Sequence, residues 1–421
     1  MRVFFATTFL MSSPLHQGLT TPRGFRAAGG VCGIKASGKP DLTLIVADQP
    51  CAAAAVFTQS RLPGAPVIVG KRQLKKPVAQ AILVNSGIAN DATGQQGIDN
   101  ALACTHHVAD QLGLDPGHVI PSSTGVIGPQ IPVDKITRGI DALIPQLASG
   151  PQADTAAATG IMTTDLVPKS AYTTLKIHGQ TVHLAGIAKG SGMIAPNMAT
   201  MLVFLTTDAV IQADLLKQAL TEAVNVSFNR MSVDQHTSPS DTALILASGL
   251  AKHPALTPST AEYEQFAQAL AQLCQDLAYQ IVKDGEGAQR VFRVRVLEAK
   301  NTREADRVAR PVINSPLVKT AVHGSDPNWG RIVTAAANSG VALVPDKLSL
   351  DISDLRGRLV RVFNLGTPIE HQGQTLKKLQ SIMKQPEITF TLYLGRGDAQ
   401  VEWLGCDLSR QYIAINADYT T

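Results

Sequence analysis

The sequence predicts an α/β fold, and three observations carry that expectation. Strand-like and helix-like segments alternate along the chain. Short apolar, β-prone runs at 42–46, 81–84 and 201–205 read as largely buried strands. Other stretches place apolar residues at helical spacing. A length of 421 residues is enough for a large core and for two domains.

The elements follow in order. Residues 1–20 open on an apolar run with one positive charge, but Thr7-Thr8 interrupts it, so they read as a frayed, disordered extension rather than an export signal. After the strands at 42–46 and 81–84, residues 98–112 fit a helix with Leu102, Thr105, Ala109 and Leu112 on one side. The polar, helix-poor segment 149–160 reads as a surface loop. Residues 212–226 fit another helix, with Leu216, Leu220, Ala223 and Val224 at helical spacing. The clearest helix opens with a capping box, Ser259 and Glu262, and carries the stripe Phe266, Leu270, Leu273, Leu277 and Ile281. It runs straight into Asp284-Gly285-Glu286-Gly287, which places Glu286 in a turn past its C-terminus. Arg293-Val294-Arg295-Val296 and residues 388–394 alternate with period two, as half-exposed strands do. The polar run 299–304 sets a boundary near residue 300, between a larger α/β domain at 21–300 and a smaller one at 301–421.

Composition narrows the function classes. A net charge of +4, with no Lys/Arg block or aromatic-basic patch, gives no case for nucleic acid. The densest basic patch, Lys71-Arg72 with Lys75-Lys76, reads as a solvated loop. No run of about 18 apolar residues suggests a membrane span. The five cysteines are widely spaced, odd in number and form no CxxC pair, which argues for free thiols in a reducing cytoplasm rather than disulfides or zinc. His106-His107 lacks an HExxH or carboxylate pattern, and no GxSxG elbow, Walker A loop or GxGxxG after a strand occurs.

One segment carries a chemical signal. The run from Lys189 through Gly190, Gly192 and Pro196 ends on small Ala199 and then Thr200, directly ahead of the strand at 201–205. A cut between Ala199 and Thr200 would free the Thr200 α-amine beside its own hydroxyl. With a pKa of about 8, that amine can take the hydroxyl proton. The same pattern suits a threonine that merely starts a strand or a turn. Thr124-Gly125 offers a hydroxyl and a close-approach glycine for an oxyanion, or a plain turn. Lys189 suits either a carboxylate anchor or a solvated charge, and Glu286 either a partner for a cation or a surface carboxylate at a helix end.

Several motifs stand in one order: Pro22-Arg23-Gly24-Phe25, Val84-Asn85-Ser86-Gly87, Ser122-Ser123-Thr124-Gly125-Val126-Ile127-Gly128, Ile161-Met162-Thr163-Thr164-Asp165, the run ending at Thr200, Val282-Lys283-Asp284-Gly285-Glu286-Gly287, Asp326-Pro327-Asn328-Trp329-Gly330-Arg331 and the terminal Ile415-Asn416-Ala417-Asp418-Tyr419-Thr420-Thr421. In these the chain resembles the ornithine acetyltransferase family, also called the arginine biosynthesis bifunctional protein family, over nearly everything after the N-terminal extension. Ile88, Gln59 and Gln235-His236 depart from the family pattern.

The resemblance implies layered sheets flanked by helices in a self-processing, N-terminal-nucleophile-like fold. It implies a cut between Ala199 and Thr200, giving chains 1–199 and 200–421 assembled as two of each. Thr200 then takes acetyl from N2-acetylornithine and passes it to glutamate, with Thr124 and Gly125 as the oxyanion hole. Thr163, Lys189, Thr200, Glu286, Asn416 and Thr421 contact substrate, the choice of Thr163 over Thr164 resting on spacing. No metal or organic cofactor is needed, and acetyl-CoA is a candidate co-substrate for acetylating glutamate. Neither nucleic acid nor membrane is expected as a partner. A self-processing amidohydrolase or aminopeptidase of related fold, and an uncleaved binding protein, are the rival expectations.

Overall fold

The chain builds two sheets. The computed structural model describes residues 17–194 and 201–418. The first sheet takes β1 (Phe25–Gly30), β2 (Leu42–Phe57), β3 (Val78–Ile88), β4 (Val119–Val126), β5 (Lys169–Ile177), β6 (Gln180–Lys189), β7 (Leu202–Thr207) and, after β8 (Met231–Ser232) has left for the second sheet, β9 (Thr242–Ala247). Its order is β4-β3-β2-β9-β7-β6-β5, with β1 also on β2.

The length of β2 sets the shape. Its first half pairs with β1 and β3, its second half pairs with β9, and the register shifts between Val46 and Cys51. A bulge at that point increases twist and bends the strand. The wings of the sheet therefore face each other across one core, where Ile45, Ile82, Val84 and Ile120 of one wing meet Ile187, Leu202, Phe204 and Leu244 of the other. Helices α1 (Ala65–Gln73), α2 (Gly94–Leu112), α3 (Val133–Leu143), α4 (Pro151–Gly160), α5 (Ala213–Val226) and α6 (Ala261–Lys283) complete this layer system. The first wing packs outward on α2 and α3, through Leu44, Leu83, Val108 and Ile140. The other packs outward on α5 and α6, through Val203, Leu205, Ile245, Leu216, Phe266 and Leu270. Strands β7 and β9 are thus buried on both faces, which explains the apolar runs 202–205 and 243–247 within them.

The second sheet takes β10 (Val291–Ala299), β11 (Ser349–Asp354), β12 (Leu359–Asn364), β13 (Thr367–Pro368), β14 (Glu387–Tyr393) and β15 (Ala399–Cys406), in the order β13-β12-β11-β14-β10-β15-β8. Helices α7 (Thr302–Asn314), α8 (Pro316–Gly324), α9 (Trp329–Ala337) and α10 (Gly373–Met383) accompany it, and Val308, Val312, Ile332 and Leu379 pack on Phe292, Val294 and Phe390. The chain then ends in α11 (Arg410–Ala417). No helix among the described residues is long and apolar enough to cross a membrane.

The α/β class and the flanked, layered sheets agree with expectation, but several local readings do not. Segment 149–160 is not a loop. Pro151 opens α4, and its alanines insert Ala157 and Ala158 between the sheet wings, so no stripe of large residues announces it. The long helix is capped by Thr260, not Ser259: the Thr260 hydroxyl accepts the Tyr263 amide, and Ser259 takes a positive φ ahead of it. The polar run at 299–304 is the N-cap of α7, where Asn301 accepts the Glu304 amide. The second sheet draws on β8 and β10 as well as on the strands past residue 300. Strand β14 is buried on both faces rather than half exposed, and at its start the Tyr279 hydroxyl and Arg293 Nε donate to Glu387. Lys71 and Arg72 close the last turn of α1. The expected 1–20 extension falls largely outside the described residues. Its end is docked: Leu19 is fully buried, and Thr20 donates from its amide and its hydroxyl to Asp154 Oδ1 at 2.8 Å each.

Candidate active site

Period-two alternation puts the site where the sheet wings meet. On β4, Ser122 and Thr124 extend the inward row begun by Ile120; on β6, Lys189 extends the row of Ile187. The curl of the sheet brings these ends together. Lys189 Nζ donates to Thr124 Oγ1 at 3.2 Å. Both are buried, so Lys189 is not the solvated loop charge that its glycine-rich neighbourhood suggested. Burial lowers the Lys189 pKa, while Asp165, Glu286 and Asp241 pull it back toward the charged form. Gly125, at φ +130°, lies so close to Gly87 that an added Cβ would overlap the Gly87 carbonyl group. Only glycine fits there, because the Gly87 backbone occupies the place a side chain would take.

Asp165 organises the next part. Its Oδ2 accepts the Thr163 amide at 2.9 Å, and its Oδ1 accepts the Gly190 amide at 2.8 Å and Lys169 Nζ at 2.6 Å. Lys169 also reaches Asp284 Oδ2 at 2.6 Å, and Asp284 accepts the Leu166 amide at 3.0 Å. Burial raises the Asp165 pKa, but Lys189 and Lys169 outweigh it and bring the group down to about 2. This cluster ties the loop carrying Thr163 and Thr164 to the end of β6 and the end of α6. Of the two threonines, Thr164 shares a 2.7 Å hydroxyl–hydroxyl bond with Ser191.

Glu286 lies just past α6, where the sequence placed it, but it is buried rather than on the surface. Its amide donates to the Ser191 carbonyl at 2.8 Å, and its Oε2 accepts Asn416 Nδ2 at 2.7 Å. An added Cβ at Gly192 would overlap the Glu286 carboxylate. The Glu286 carboxylate therefore needs the bare backbone of Gly192 beside it. The bond to Asn416 docks α11 at the site, assisted by Tyr412, whose hydroxyl donates to Asp234 Oδ2 at 3.3 Å.

Thr124, Gly125, Thr163, Lys189, Glu286 and Asn416 are thus joined to a common frame. Ala199, Thr200 and Thr421 lie outside the described residues. Met201, the next residue after Thr200, is buried, and its amide donates to Asp241 Oδ1 at 3.0 Å. Sequence reasoning missed Asp165, Lys169, Asp284 and Asp241 as site builders. Asp165 and Asp284 lie inside two of the quoted motifs, so those motifs held the signal. For Asp241 nothing local announces a role, because its partner is distant in sequence.

The chain is also similar to known proteins. A family profile described as "ArgJ family" matches residues 26–421. The arginine biosynthesis bifunctional protein ArgJ of Symbiobacterium thermophilum is 41% identical over 409 residues, 97% of this chain and 99% of that protein. The protein of the same name from Geobacillus kaustophilus is 43% identical over 406 residues, 96% of each chain. A solved structure of the arginine biosynthesis bifunctional protein from Bacillus halodurans is 38% identical, covers 43% of this chain and 93% of that one, and superposes with a TM-score of 0.41.

Proposed function

The chain belongs to the ArgJ family, and from that premise we propose that it carries acetyl from N2-acetylornithine to glutamate on Thr200, after a cut between Ala199 and Thr200. The observation that carries this reading is the buried Lys189–Thr124 pair at the end of β6, beside the strand that leads out of Thr200. In the cut chain the Thr200 α-amine takes the hydroxyl proton, and Oγ1 attacks the acetyl carbonyl. Because Thr124 Oγ1 accepts from Lys189, its own O–H is free to donate to the oxyanion, next to the backbone of Gly125. Ornithine leaves, the acetyl ester stays on Thr200, and the glutamate amine attacks it in turn.

The charges around the pocket match such amino-acid substrates. Lys189, penalised by burial, gains a partner from an α-carboxylate. Glu286, presented between Gly192 and Asn416, suits the side-chain ammonium of ornithine. No step calls for a metal or organic cofactor. The curated relatives are named bifunctional, and on that ground acetyl-CoA is proposed as a second acetyl donor to glutamate. A cytoplasmic assembly of two 1–199 and two 200–421 chains belongs to the same reading.

Denaturing intact-mass measurement with N-terminal sequencing tests it. Two fragments are expected, one beginning Thr200-Met201-Leu202, and Thr200→Ala should leave a single chain. An uncut wild-type chain overturns the reading. In the cut protein, acetylornithine consumption should depend on glutamate; consumption without it would mark a hydrolase instead. Acetylation of glutamate by acetyl-CoA alone tests the second activity.

A further inference from the structure

Met201 is held by consecutive residues of the segment entering β9. Asp241 Oδ1 accepts the Met201 amide at 3.0 Å, and the Thr242 amide donates to the Met201 carbonyl at 3.1 Å. Only then does the parallel pairing of Leu202 with Thr242 begin. Asp241 is itself fixed: its carbonyl accepts the Thr58 amide at 2.9 Å, and the hydroxyl of its neighbour Ser240 donates to Asp91 Oδ2 at 2.6 Å. Asp241 and Asp91 are each 1% exposed. Asp241 Oδ2 and Asp91 Oδ1 have no hydrogen-bond partner among the described residues.

An uncharged Asn or Ser could close a strand end without burying an acid. A fully buried carboxyl whose geometric hydrogen bond goes to one backbone amide, that of Met201, is a costly way to close a strand end. After a cut at Ala199–Thr200, the new α-amine is separated from the Met201 nitrogen only by the Cα and carbonyl carbon of Thr200.

We propose that Asp241 is a positioning residue for the chemistry of Thr200. Through the Met201 amide it fixes the residue bonded to Met201, and so sets the attack geometry of both the chain cut and the acyl transfer. The proposal rests on the reading of Thr200 as nucleophile. Burial of Asp241, with Asp91 adding to it and the Met201 and Ser238 amides and Lys189 opposing, holds its pKa well above the usual carboxylate range, in keeping with a group that works as a hydrogen-bonding carboxyl rather than as a paired ion.

The test compares wild type, Asp241→Ala and Asp241→Asn, the last keeping an acceptor oxygen of the same reach. Fragment formation is followed by denaturing mass measurement, and kcat and KM are determined on the cut species, with melting curves for each. Asp241→Ala should cut about tenfold more slowly and lose about tenfold in kcat at nearly unchanged KM, as expected when a reacting group is misplaced without loss of substrate contacts. Asp241→Asn should recover most of both. Asp241→Ala that cuts and turns over like wild type, with only its melting point lowered, overturns the proposal. So does Asp241→Asn as impaired as Asp241→Ala. If Asp241→Ala fails to fold, Asp241→Asn decides: cutting and kcat near wild type uphold the acceptor role, and loss of both overturns it. A wild-type chain that never cuts is a separate failure, which removes the Thr200 reading and this proposal with it.

Discussion

Arg293, on β10 of the second sheet, lies between Glu387 Oε1 and Glu402 Oε1, each at 2.6 Å, and Glu402 also takes Arg295. Lys189, at the end of β6 in the first sheet, donates instead to a neutral hydroxyl. Burial disfavours both cations, but with opposite results. The glutamates outweigh burial and raise the Arg293 pKa, whereas burial prevails over Asp165, Glu286 and Asp241 and lowers that of Lys189. The same contrast holds for the acids. Arg293 and Arg295 lower the Glu402 pKa against burial, while Asp91 and Asp241 stay raised and each keeps an unpartnered oxygen. Charge is settled internally in the second sheet, whereas where the wings of the first sheet meet it is settled at Asp165 and left unsettled at Lys189, Asp91 and Asp241. Polar groups buried at this cost are the ones that a charged substrate can relieve.

Substituting one cation from each region is the most direct way to break that comparison. Lys189→Ala should lower kcat/KM for acetylornithine by about a hundredfold, the scale of a buried charged hydrogen bond. Arg295→Ala removes a partly exposed ion pair and should leave kcat/KM within about twofold of wild type. Steady-state kinetics on purified, cut protein decides. Equal losses in both variants would mean that charge matching does not separate scaffold from site.

The same contrast can be sharpened with glycines. Gly192→Ala forces its new methyl into the Glu286 carboxylate, so KM for acetylornithine should rise by about tenfold, with kcat less affected. Gly324→Ala, at the end of α8, meets open space and should leave both constants and the melting point unchanged within error. A normal KM in Gly192→Ala would remove Glu286 from the substrate-facing set.

How far the sequence was readable follows from where its signals come from. Strands β7 and β14, the helix over 213–226 and the position of Glu286 past α6 were legible because each rests on a local period or a local stop signal. Helix α4 was not, since an alanine-rich helix wedged between sheet wings needs no apolar stripe. The bend of β2 was hidden for a similar reason: its two halves are apolar alike, and only their pairing partners differ. At the site, Thr124, Lys189 and Glu286 could be singled out from motif chemistry. Their burial could not, because it comes from the curl of the sheet. The Asp241–Met201 bond joins segments far apart in sequence, and no local pattern encodes it.

Stability against pH separates two acids at the site itself. Asp165 has a folded pKa of about 2, below its usual 3.8, because Lys189 and Lys169 outweigh burial. Its stabilising contribution is therefore present above about pH 4 and lost as pH falls toward 2. Asp91 is the reverse: burial, only partly offset by the Ser240 hydroxyl, raises it to about 6. Its contribution is present below about pH 4 and lost as pH rises through 6. Urea unfolding across this range should show Asp165→Asn flattening the acidic limb and Asp91→Asn flattening the decline between pH 4 and 6. Each change should be about 2–3 kcal/mol across its limb. Asp91→Asn that leaves the decline between pH 4 and 6 intact would assign it to another group. Asp91 would then be an ordinary ionised carboxylate, and the unsettled charge would narrow to Lys189 and Asp241.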